Sequence, residues 1–247
     1  MELFFIGDAL KRSGAKKITA IIPYFGYARQ DKQHRKGECV SAEVIIKFIE
    51  SVGFNKVILF DIHEQKTLDI FKIQVTHLSS IDLLAEKTKL YFKSIDINPN
   101  NFIVVTPDQA GKKRAKRFSK TFFKNNKTQI AVIEKHRNLN KIHISKAVRL
   151  NGNVKNKIAI VVDDIITSGN TLLNATDLIL KNGAKKVVTA IVHHDFSPDT
   201  HIKIQNSKIE RFFTTNTIFL KEKQRINKIE EVSIAKIISS VITSSLD

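Results

Sequence analysis

At 247 residues the chain can form one large or two modest domains, each with a substantial core. Hydrophobic content of 42% and charged content of 26% are ordinary for a soluble globular protein, and no apolar run approaches the roughly 20 residues that a membrane helix needs. The formal charge of +17, from 41 basic and 24 acidic residues, attracts anions, but the lysines are scattered without interleaved aromatic stripes, which favours phosphorylated small molecules over nucleic acid.

The opening stretch, Met1 to Asp8, lacks the basic start and apolar run of a signal peptide. A single cysteine, Cys39, excludes an intrachain disulfide, so a cytoplasmic protein is expected. Apolar periodicity predicts a helix over 2–13 and a strand over 18–23, followed by an aromatic loop over 24–31. Ser41 is expected to cap a helix reaching Val52, with Gly53 as its stop. Strands follow at 56–60 and 74–77, then a helix over 81–93 and an Asn-Pro-Asn-Asn turn at 98–101. The pattern repeats with a strand at 102–106, a loop at 107–111, a helix to about Phe123 and a strand at 130–134. A polar stretch, 138–156, precedes a continuous β-branched run over 158–162, which reads as a buried central strand. A helix over about 172–182 closed by Gly183, strands at 185–193 and 217–220, and a terminal helix over 229–242 complete the chain. Alternating strands and helices define an α/β protein with parallel sheets, whose ligands bind beyond the carboxyl ends of the strands.

The central strand is followed by Asp163 and Asp164, then by the small, hydroxylic loop Thr167-Ser168-Gly169-Asn170-Thr171 and a helix. Loop amides, hydroxyls and the helix dipole suit a sugar phosphate, while the carboxylates can accept hydrogen bonds from vicinal hydroxyls. The competing reading is an ordinary crossover with two solvated aspartates. Arg29 in the aromatic loop can clamp phosphate and Gln30 can read a base or ribose; a buried subunit contact is the alternative. Asp61-Ile62-His63 places carboxylate and imidazole after a strand, and His63 with Asp108 can ligate a phosphate-bound Mg²⁺ directly or through water. Gly111, Lys112 and Lys113 can hold diphosphate, with the rest of 112–120 a solvated basic helix face. Lys135 and Arg137 lie two apart on an extended segment opening a polar loop, where both can neutralise a transferring phosphoryl group. His193-His194-Asp195 reads as structural, because adjacent histidines on a strand face opposite sides.

Together these stretches resemble the ribose-phosphate pyrophosphokinases. Pro23 to Asp31 is similar to that family's ATP loop, 61–65 to its Asp-Leu-His-Ala-Glu-Gln stretch, and 107–114 to its diphosphate loop. Lys135-x-Arg137 resembles the catalytic flexible loop and 163–171 the ribose-phosphate loop. The resemblance implies two phosphoribosyltransferase-type parallel-sheet domains in a homo-oligomer, transferring the diphosphate of ATP to ribose 5-phosphate. It implies that Arg29, Gln30 and Asp31 bind ATP, that His63 and Asp108 hold Mg²⁺, and that Lys135 and Arg137 are catalytic. Arg137, Asp163, Asp164, Thr167, Ser168, Gly169, Asn170 and Thr171 would hold ribose 5-phosphate.

The expected division is 1–79 as a remnant of the first domain with the ATP loop, 80–228 as the second domain, and 229–247 as a terminal helix packing on the first. Matching begins downstream of the family's usual start, so an amino-terminal truncation is expected. Such a chain would bind ribose 5-phosphate better than it turns it over, unless a separately encoded segment completes it. Thr167, Asn170, Ala110 and His194 depart from the residues usual in the family. The alternatives are a non-catalytic subunit bound to an active partner and a simple phosphoribosyltransferase, the latter opposed by the Tyr-Ala-Arg-Gln-Asp and Lys-x-Arg loops.

Overall fold

A computed structural model describes residues 1–33, 35–125, 130–137 and 145–244, with backbone alone for 135–137 and 145–148. The chain divides into two compact units, Met1–Ser79 and Ser80–Asp247.

In the first unit, α1 (Glu2–Arg12) precedes β1 (Thr19–Ile22), α2 (Ser41–Val52), β2 (Lys56–Phe60) and β3 (Gln74–Leu78). The strands form a three-stranded sheet in the order β1-β2-β3, parallel throughout. Ala42, Ile46 and Ile49, at helical spacing on α2, meet Ala20, Val57 and Leu59 of the sheet in one apolar cluster with Phe25 and Phe54. Gly53 ends α2 in the left-handed conformation, at φ 102°. Ser41 is the first helical residue and does not cap α2; its hydroxyl donates instead to Gln30 Oε1 at 2.5 Å.

The second unit contains α3 (Ile81–Tyr91), β4 (Phe102–Thr106), α4 (Lys112–Phe123), β5 (Ile130–Arg137), β6 (Ser145–Asn151), β7 (Ile158–Ile166) and α5 (Asn170–Lys181). It continues through β8 (Lys186–His194), α6 (Thr200–Gln205), β9 (Ile209–Thr215), β10 (Ile229–Val232) and α7 (Ala235–Thr243). Its seven-stranded sheet runs β10-β9-β8-β7-β4-β5-β6, parallel except for the antiparallel β5–β6 pair. Side chains alternate across β7. Ile158, Ile160 and Val162 join Phe118 and Phe122 of α4 on one face, while Ala159 and Val161 join Ala175 and Ile179 of α5 on the other. Burial on both faces is why this strand reads as an unbroken apolar run.

Several expected boundaries move. The central strand runs to Ile166, so Asp163 and Asp164 lie within its last turns of pleat rather than beyond it. Lys135 and Arg137 continue β5 and pair with Ala147 and Ser145 of β6, where a polar loop was expected; residues 138–144 of that loop lie outside the described residues. The last part of the sheet uses Ile209–Thr215 rather than Thr217–Leu220. Thr215 Oγ1 accepts the Thr217 N–H at 3.3 Å, turning the chain out of the ladder. Residues 229–232, expected as the start of the terminal helix, form β10 because pairing with Phe212 to Thr215 of β9 supplies their backbone with partners.

Candidate active site

Strand order reverses direction between β4 and β7: the chain moves from β4 outward to β5 on one side and from β7 outward to β8 on the other. Loops leaving the carboxyl ends of two such neighbours diverge and leave a crevice, the usual ligand position in open α/β sheets. The loop 107–111 leaves β4 there, and the loop 167–169 leaves β7.

On the β4 side, Asp108 Oδ1 accepts the Gly111 N–H at 3.0 Å, and Thr106 Oγ1 donates to the Asp108 carbonyl at 3.0 Å. These bonds fold the loop tightly into the N-terminus of α4, with Gly111 as the residue before the helix. On the β7 side, Gly169 takes φ 78° and opens α5. No side chain caps α5, so the N–H groups of its first turn, including Asn170 and Thr171, point out of the helix unmatched by intrahelical carbonyls. Thr167 and Ser168 lead directly into this helix start, which suits an anion.

Arg114, one turn into α4, reaches across to β7. Its Nη1 donates to Asp163 Oδ1 at 2.9 Å and its Nη2 lies 3.2 Å from Asp164 Oδ1. Arg114 is therefore not part of a solvated basic face; its side chain is largely buried against the two carboxylates. Asp163 Oδ1 also accepts the Asp164 N–H at 2.9 Å. Burial pushes the Asp163 carboxyl well above the usual carboxylate range and repulsion from Asp164 adds to this, while the Arg114 guanidinium pulls the other way.

Residues 197–203 brace the anion loop, a role that sequence pattern did not reveal. Thr200 Oγ1 donates to the Thr167 carbonyl at 2.8 Å and the Ser197 N–H donates to the same oxygen at 3.2 Å. Their partners lie some thirty residues away in sequence, so no local motif marks them. Glu134, just before Lys135, accepts hydrogen bonds from Asn151 at 2.7 Å and from Gln109 of the β4 loop at 3.3 Å. The β5 ladder shifts register between Glu134 and Lys135. The side chains of Lys135 and Arg137 lie outside the described atoms.

The remaining expected residues belong to the first unit. Phe25 and Ala28 anchor the loop after β1 in that unit's own core, leaving Arg29 and Gln30 exposed. Gln30 is tied to α2 twice, its carbonyl accepting the Ala42 N–H at 3.2 Å and its Oε1 the Ser41 hydroxyl. Asp31 is half-buried beside it. Asp61 takes a left-handed φ of 38° at the end of β2 and accepts the Ser79 hydroxyl at 2.6 Å; His63 stands exposed two residues on. Among the described residues no group of three or more His, Cys, Asp or Glu side chains gathers to hold a metal, and no helix is long and apolar enough to cross a membrane.

A mostly parallel sheet covered on both faces, with an uncapped helix start and paired carboxylates at its switch point, defines a phosphoribosyltransferase-type α/β protein. Residues 1–53 match the family model for the N-terminal domain of ribose phosphate pyrophosphokinase, and 126–245 match that for the phosphoribosyl synthetase-associated domain. The chain is 34% identical over 242 residues to ribose-phosphate pyrophosphokinase 1 of Streptococcus agalactiae, covering 98% of this chain and 73% of that one. The same figures hold for ribose-phosphate pyrophosphokinase of Bacillus cereus. The crystal structure of phosphoribosylpyrophosphate synthetase from Mycobacterium smegmatis superposes with a TM-score of 0.87 at 28% identity, covering 100% of this chain and 77% of that one. The chain belongs to the ribose-phosphate pyrophosphokinase family.

Proposed function

We propose that the chain is a ribose-phosphate diphosphokinase, transferring the β,γ-diphosphate of ATP to O1 of ribose 5-phosphate and releasing AMP. The observation that carries this reading is the pairing of an uncapped α5 N-terminus with Asp163 and Asp164 on the same strand-loop-helix unit. A phosphate on the loop amides of 168–171 leaves the sugar's vicinal hydroxyls to the carboxylates. The ring's O1 then faces the loop that leaves the neighbouring strand β4.

Attack by O1 forms a bond to the β-phosphorus as the bond to the α-phosphate oxygen breaks; that electron pair leaves on AMP and the hydroxyl proton is lost. The nucleophile is a ready alcohol, so the protein's work is positioning and charge neutralisation. Lys135 and Arg137 on β5 are assigned to the charge on the transferring group, and Arg29, Gln30 and Asp31 to ATP. The donor set suits Mg²⁺, which keeps several waters and takes few protein ligands alongside substrate phosphates, rather than a metal that needs a protein cage. Asp108 and His63 are assigned to it on the family resemblance alone. The ion would neutralise charge on the diphosphate. Exposed Phe5, Ile6 and Leu10 on α1 and Phe48 on α2 support a homo-oligomer, and the single cysteine supports a cytoplasmic protein.

Calorimetric titration of ribose 5-phosphate into the chain tests the sugar site. Saturable binding, weakened about tenfold or more by Asp163→Asn, is expected. Absence of binding by the unaltered chain would contradict the reading.

A further inference from the structure

Arg114 closes the stretch 107–114 that resembles the diphosphate loop, yet its guanidinium joins helix α4 to both carboxylates of β7. We propose that Arg114 is a positioning residue for ribose 5-phosphate, its guanidinium fork fixing Asp163 and Asp164 so that their remaining oxygens receive the sugar hydroxyls. The inference rests on the proposed function above and adds a residue to it.

The geometry is specific to arginine. One terminal nitrogen reaches each aspartate, at 2.9 and 3.2 Å, through a planar group whose two arms are held at a fixed spacing. Lysine offers a point charge and cannot set two carboxylates at once. Asp163 Oδ1 takes both the Arg114 Nη1–H and the Asp164 N–H, which leaves Oδ2 as its acceptor for a hydroxyl. Because Arg114 sits on α4, directly after the β4 loop, the same fork sets that loop's distance from β7.

Charge gives the fork a second task. Asp163 is half-buried, Asp164 repels it from the same strand, and Asp108 of the β4 loop adds a further negative charge, so Arg114 is the group opposing protonation. A protonated carboxyl has one acceptor fewer for the sugar. Loss of the arginine charge therefore moves the acidic limb of sugar-dependent activity toward higher pH.

The test uses Arg114→Gln and Arg114→Lys in the full chain, with each KM measured separately and kcat/KM for ribose 5-phosphate followed against pH. Arg114→Gln is expected to raise the KM for ribose 5-phosphate about tenfold while changing that for ATP less than about twofold, and to shift the acidic limb upward by about one pH unit. Arg114→Lys keeps the charge and so strands no carboxylate pair. It should restore the acidic limb but leave the KM for ribose 5-phosphate raised, because the fork is still missing. Equal changes in both KM values, or an acidic limb unmoved in a folded Arg114→Gln, overturn the proposal. If Arg114→Gln fails to fold, an unchanged sugar KM in Arg114→Lys does so alone. The two readings separate on the unaltered chain: no ribose 5-phosphate binding there defeats the function itself, whereas normal binding with an indifferent Arg114 defeats this inference only.

Discussion

A Cβ atom on Gly111 would fall 2.2 Å from Thr106 Oγ1. That hydroxyl is not at liberty to move, because it donates to the Asp108 carbonyl at 3.0 Å and is buried at the end of β4. Gly111→Ala must therefore shift either the loop or the start of α4. We expect it to lower kcat/KM about a hundredfold and to cost about 1–3 kcal/mol of stability. Steady-state kinetics and urea unfolding check both numbers, and Gly111→Ala combined with Thr106→Ala should recover part of the stability.

In the first unit the same logic applies to α1. Gly7 is buried, and a Cβ there would meet Phe54 Cζ at 2.6 Å and Val52 Cγ1 at 2.8 Å. Phe54 is itself a core side chain, so it has little room to yield. Gly7→Ala is expected to destabilise by about 1–3 kcal/mol despite alanine's better helix propensity, which is worth only about 1 kcal/mol. A lower denaturation midpoint is the result to look for; a more stable variant would show that α1 packs differently.

Glu134 ties the β4 loop to the base of the β5–β6 pair through Gln109 and Asn151. Removing the acceptor in Glu134→Ala loosens the strand that carries Lys135 relative to Asp108. The expected outcome is a kcat lowered about tenfold with the KM for ribose 5-phosphate nearly unchanged, since the sugar loop is held by Thr200 instead. Glu134→Gln keeps an acceptor oxygen and should retain most of the activity.

His194 supplies a pH dependence of stability. It is buried on β8, its Nδ1 lies 3.1 Å from Thr214 Oγ1, and its Nε2 has no partner. Thr214 Oγ1 directs its own hydrogen to the Val192 carbonyl, so Nδ1 is the donor and Nε2 carries a lone pair. Burial first, with His193 beside it, pushes this imidazole from 6.5 down to about 4. Between these values the unfolded chain binds more protons than the folded one, so stability is full above pH 6.5 and falls as pH drops toward 4. The difference in unfolding free energy between the unaltered chain and His194→Phe should shrink by about 3 kcal/mol from pH 7 to pH 4. A difference independent of pH would contradict this account of His194.

The parts legible in sequence are those whose burial is symmetric or whose chemistry is local. Ile158 to Val162 is apolar because both faces are covered, and the loop 167–171 is small and hydroxylic because its own backbone forms the cradle. Edge elements were harder. β6 lies at the margin of the sheet with Arg149 exposed, and needs no apolar periodicity to pair. β9 is an inner strand, but Glu210 and Arg211 follow its buried first residue, Ile209, and interrupt the apolar run that resumes at the buried Phe212 and Phe213. Arg114 was masked by its neighbours Lys112, Lys113 and Lys116: a helix rich in cations reads as solvated, and only the adjacency of β4 and β7 singles out the one that turns inward. The Ser197 and Thr200 brace depends on contacts between distant segments, which no motif encodes.

The central claim concerns which bond of ATP breaks. Incubation with ribose 5-phosphate and ATP labelled with ³²P at the β-phosphate, followed by separation of the products, reads this directly. Label on the 1-position of the sugar phosphate, with unlabelled AMP formed in equal amount, is the expected result. Accumulation of labelled ADP, or AMP formed with no label joined to the sugar, would contradict it.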